Sequence, residues 1–131
     1  AMQTLLPEGW PRPSGYANGI ASEGRHVYVA GMIGWHPDGR WETDDMAEQI
    51  EQALKNIIEV LAEAGAGPEH IVRMTWYVTD CQSYNTALKK IGIAWRDIMG
   101  KNYPAMAVVE VVRLVEERAK VEIETTAIVP S

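Results

Sequence analysis

The apolar positions change period along the chain, and each change marks an element. Between residues 45 and 64, Met46, Ile50, Ala53, Leu54, Ile57, Ile58 and Leu61 recur at spacings of three and four, as on a helix with one apolar stripe. Asp44 or Asp45 stands where a cap is needed, and Gly65 is placed to end the helix. A second stripe, Tyr84, Leu88, Ile91, Trp95 and Ile98, predicts a helix over residues 83–99 with Gly100 as its stop. The β-rich runs predict strands at 26–33, 71–79, 103–113 and 120–129. Residues 19–22 read as a short strand that forms a hairpin with 26–33 across Glu23, Gly24 and Arg25, and the VEER segment after Leu114 reads as the bend of a second hairpin. Residues 34–40 (GWHPDGR) are a loop by their turn chemistry. Residues 1–18, broken by Pro7, Gly9, Pro11, Pro13 and Gly15, predict an irregular arm.

The order is β-β-α-β-α-β-β. Two helices with one stripe each must lie on the same face of a mixed sheet, which gives a single two-layer α/β (α+β) domain over residues 1–131. In the strand at 103–113, Met106, Val108 and Val112 share one face and Ala107, Val109 and Val111 the other, so both faces need cover. With the helices spent on one face, the expected cover for the second is another copy of the chain.

Composition narrows the function classes. The chain has 131 residues, a 47% hydrophobic fraction and a net charge of −6, which gives no basic footprint for nucleic acid. Cys81 is the only cysteine, so no intrachain disulfide is expected. No leader-like or membrane-spanning run is visible, and the expectation is a cytoplasmic protein without nucleic-acid or membrane partners. His26, His36 and His70 are too scattered for a local metal motif, and no GxGxxG, P-loop or GxSxG pattern occurs, so neither metal nor cofactor is expected.

Several stretches together, SGYANG, VAGMIG, the first long helix, YPAMAVVEVVRL and VEIE, resemble the YjgF/RidA superfamily in order and spacing. The resemblance implies a chorismate-mutase-like trimer, a cleft between subunits, and hydrolysis of reactive enamines or imines to carbonyl compounds and ammonia. It carries the water-positioning glutamate onto Glu122, the cleft tyrosine onto Tyr16, and the pocket-flanking segment onto Gly31, Met32 and Ile33. The superfamily pattern has an arginine after PA, where this chain has Met106. A thioether cannot make the bidentate contact that a guanidinium makes to a carboxylate. Met106 with Val108 therefore suits a larger or more apolar small molecule, such as an aminomuconate-like substrate, than a small imino acid. Trp35 and Trp76 are candidates to stack on a flat ligand, with Trp35 favoured because it lies in a loop. The plainer readings are a salt-bridged strand residue for Glu122 and a core residue for Met106. The alternative function is a non-catalytic, small-molecule-binding homotrimer that has lost the reaction, and ribonuclease activity is a third reading that the acidic charge disfavours.

Overall fold

The computed structural model describes residues 2–131; residue 1, which opens the expected arm, lies outside them. Among the described residues, six strands and three α-helices occur in the order β1 (Gln3–Thr4), β2 (Ile20–Ala21), β3 (Arg25–Ile33), α1 (Met46–Glu63), β4 (Ile71–Val78), α2 (Cys81–Thr86), α3 (Leu88–Met99), β5 (Ala105–Glu110) and β6 (Val121–Val129). The main sheet has the order β3-β6-β4-β5, with β6 antiparallel to both neighbours and β5 parallel to β4. This is a mixed α+β fold with the helices on one side of the sheet.

The first helix forms as its stripe predicts. The Asp45 carboxylate accepts from the Glu48 N–H at 3.0 Å, and Gly65, at φ +68°, takes the left-handed conformation beyond its end. Ile50, Ala53, Leu54, Ile57 and Leu61 are fully buried over β3 and β6. Each buried Leu or Ile contributes about 1.5–3 kcal/mol of transfer free energy.

The second helix departs from expectation. It begins at Cys81, capped by Asp80, whose carboxylate accepts from the Gln82 and Ser83 N–H groups, and it breaks at Ala87 into α2 and α3. The bonds from Ser83 hold the Asp80 carboxyl below its ordinary range. Ile91, Ala94, Trp95 and Met99 of α3 are buried, whereas Leu88 is left half exposed.

Neither expected hairpin forms. β2 pairs with β1, Gln3 opposite Ala21, and β3 pairs with β6. The glycine-containing turn at 23–25 lays the chain against β6: Gly24 sits where a Cβ would overlap the Val129 carbonyl. β5 does not fold back onto β6 either. It is the product of a β4-helix-β5 crossover and therefore lies parallel to β4, with Met74 opposite Met106 and Trp76 opposite Val108. β6, buried at Val121, Ile123, Thr125 and Ala127, takes the central place, where both its edges are paired.

Register assigns the faces. Met74, Trp76, Met106 and Val108 point to the helices and join the core. Alternation puts Thr75, Tyr77, Ala107, Val109, Glu122 and Glu124 on the other face, which no helix covers. Val109 on that face is 41% exposed, and Tyr28 of β3 is 74% exposed.

Candidate functional site

A hollow of about 630 Å³ opens between α3, the edge strand β5 and the arm. The arm reaches it because the Ala17 N–H donates to the Pro104 carbonyl at 2.9 Å and Ala17 bridges Ala105 in parallel, which lays Ser14, Gly15 and Tyr16 along the free edge of β5. Met106 and Val108 form one wall of the hollow. Its floor is aromatic. Trp95 stacks on Tyr103 at 6.4 Å and 15°, lies 6.1 Å from Trp76, and Trp76 meets Tyr84 edge-on at 6.3 Å. Burial pushes the Tyr84 hydroxyl above its ordinary pKa, so it is a neutral wall group. The indole N–H groups of Trp76 and Trp95 are buried without an acceptor, and an unsatisfied buried donor costs about 1–3 kcal/mol.

Glu122 is elsewhere. It lies on the helix-free face, opposite Tyr77 on one side and Ile33 on the other, and its carboxylate occupies the space a side chain at Gly31 would take. Neighbouring Tyr77 donates to Glu124 at 2.6 Å, and that bond, followed by burial, raises the Tyr77 pKa. Met32 points to the core and Ile33 is buried.

Trp35 marks a third place. It packs on Trp41 at 5.9 Å, and Trp41 is covered by the Arg118 guanidinium, itself held by Asp44 at 3.0 Å. Of the sequence candidates, Tyr16, Met106 and Val108 thus come together, Glu122 and Gly31 come together on the opposite face, and Trp35 is outside the hollow. The tryptophans that line it are Trp76 and Trp95.

Residues without an obvious functional pattern fix this geometry. Gln49, fully buried on α1, donates to the Thr43 and Arg118 carbonyls and accepts from the Lys120 N–H at 2.7 Å, which ties the chain entering β6 to the helix. Asn56 donates to the carbonyls of Ile33 and Trp35 and so anchors the end of β3. Both are polar residues within an otherwise apolar helical face, which is their sequence signal. Burial, followed by the Glu110 carboxylate, raises the Cys81 pKa and so favours its protonated thiol. Among the described residues, no group of three or more His, Cys, Asp or Glu side chains is placed to hold a metal ion.

The sequence model of the family described as Endoribonuclease L-PSP matches residues 11–129. The chain belongs to the YjgF/RidA superfamily. Among its relatives in that superfamily, a RutC family protein of Pyrococcus abyssi is 30% identical over 97% of both chains. The human 2-iminobutanoate/2-iminopropanoate deaminase is 32% identical over 79% of this chain and 73% of its own. A solved structure from Yersinia pestis, described as a protein of unknown function of the conserved Rid family, superposes with a TM-score of 0.86 at 28% identity and 98% coverage of both chains. No helix among the described residues is long and apolar enough to cross a membrane.

Proposed function

We propose that the chain hydrolyses enamines or imines larger or more apolar than the small imino acids, in a cleft formed between copies of a cytoplasmic homotrimer. One observation carries this reading: the hollow at the free edge of β5 and the Glu122 carboxylate lie on opposite faces of one sheet, and the face bearing Glu122 is uncovered. A neighbouring copy that covers that face with its own β5 edge would set its hollow beside this Glu122. Deaminases among the relatives supply the reaction class.

The chemistry asked of the residues is modest. Water adds to the carbon of the C=N bond as the π pair moves to nitrogen. Glu122 orients that water, accepts one of its protons and returns it to nitrogen, which gives a carbinolamine; the carboxylate then carries the carbinol O–H proton to the amine, the C–N bond breaks, and ammonia leaves as the carbonyl forms. General acid–base assistance of this kind contributes about 10²- to 10⁴-fold. Tyr16 at the mouth closes over the substrate, while Met106 and Val108 select by shape.

The test is ammonia release above the uncatalysed background for a series of imines from two-carbon side chains to conjugated dienes. Wild type should accelerate the larger ones and Glu122→Gln should lose at least about 10²-fold of that acceleration. Unchanged turnover in the variant would remove Glu122 from the mechanism. Met106, in place of the superfamily arginine, favours a second reading, a homotrimer that binds small molecules without turning them over. Activity on small imino acids seen only in Met106→Arg would support it.

A further inference from the structure

The hollow contains a cation that no other group claims. Arg96 of α3 lines it, and among the described residues no carboxylate lies within ion-pair distance of its guanidinium. Of the other arginines, Arg118 is held by Asp44 through both Nε and Nη2 and covers Trp41, and Arg73 lies on the helix-free face, away from this hollow. Arg113 lies beyond the end of β5 and does not line the hollow.

Arg96 owes its place to helical spacing. Leu88, Gly92 and Arg96 follow one another at four-residue intervals, so they form one stripe, and all three line the hollow. Gly92 is the unusual member. Glycine is a poor residue for a helix interior, and here a Cβ would meet nothing within 4 Å. The space above Gly92 is open to a ligand. Below it is the Trp95 ring stacked on Tyr103, and two indole donors in this wall have no acceptor.

We infer that Arg96 is the carboxylate-binding group of this hollow, and that the ligand it takes is a flat carboxylate carrying an aromatic or conjugated side chain. The inference rests on the reading of the hollow as the substrate site, and it names that substrate's class. It sets a cation on the helix across the hollow from Met106. The ring lies along the Trp76, Trp95 and Tyr103 surface, over the space that Gly92 leaves, and the carboxylate meets the guanidinium fork. A cation in the last turn of a helix is also favoured by the helix dipole, so the test must separate charge from guanidinium.

Isothermal titration with two unreactive probes, trans-cinnamate and its neutral amide, does this without any turnover. Wild type should bind the carboxylate about 10- to 100-fold more tightly than the amide. Arg96→Gln should lose that preference and leave amide binding unchanged. Arg96→Lys, which keeps the helix-end cation, should retain part of it. Gly92→Trp should lose both probes. An unaltered preference in Arg96→Gln, or no binding of either probe to wild type, would overturn the inference. The two proposals fail separately. Carboxylate preference through Arg96 with no imine hydrolysed sustains this site and sinks the hydrolase reading. Glu122-dependent hydrolysis with an unchanged KM for carboxylate-bearing imines in Arg96→Gln does the reverse.

Discussion

The two sides of the sheet are built to opposite ends. On the helix side, buried Trp76 and Trp95 meet Met106 and Val108 around an aromatic hollow with one free cation, a place that recognises shape and flat surface. On the far side, Glu122, Glu124, Thr75 and Tyr77 form a polar strip of hydrogen-bonding groups bordered by exposed Val109 and Tyr28. Neither side alone has what hydrolysis of an imine needs. The first lacks a base, the second's own smaller hollow, lined by Tyr28, Arg73, Thr75 and Glu124, does not include Glu122, and the sheet itself keeps Glu122 apart from the aromatic hollow within one chain.

The comparison can be strained from either side. Trp76→Ala removes a fully buried indole from the core and the hollow floor together, and should cost about 3–5 kcal/mol in chemical denaturation while abolishing ligand binding. Gln49→Leu acts on the polar side. It strands the Lys120 N–H and the carbonyls it served, at a cost of about 3 kcal/mol, and it should loosen the start of β6 and with it Glu122, read as faster amide exchange at 120–122. Gly92→Ala should do the opposite to stability. With nothing within 4 Å of the new methyl, the helix gains about 0.5–1 kcal/mol, seen as a small rise in Tm. A loss of stability there would mean that the hollow is not open above the helix.

Much of this was legible in the residues. The periodicity of Met46 to Leu61, the Asp45 cap and Gly65 specify α1 without reference to the rest of the fold. The other strand positions, apart from β1 in the stretch expected to be irregular, were equally readable, but their partners were not. A hairpin between β5 and β6 is the local expectation, and the β4-helix-β5 crossover, which demands a parallel pair, overrides it because β6 has the most buried alternation and belongs in the centre. The site divided in the same way. The resemblance named Tyr16 and Met106 and strand alternation added Val108, and the three line one hollow, whereas Trp35, preferred for lying in a loop, packs against Trp41 outside it. Arg96 was missed because a helical arginine ordinarily signals a solvated face. Its four-residue spacing from Gly92, a glycine with no need for a special backbone conformation, was the available clue.

One measurement addresses the central claim that the two sides work together only between copies. Glu122→Gln chains keep the hollow and lose the base, while Gly92→Trp chains keep the base and lose the hollow. Co-expressed and purified together, the two inactive variants should recover roughly a quarter of wild-type ammonia release if each site takes its hollow and its glutamate from different subunits of a trimer. A mixed oligomer that remains as inactive as its parents, or a chain that sediments as a monomer, would contradict the account.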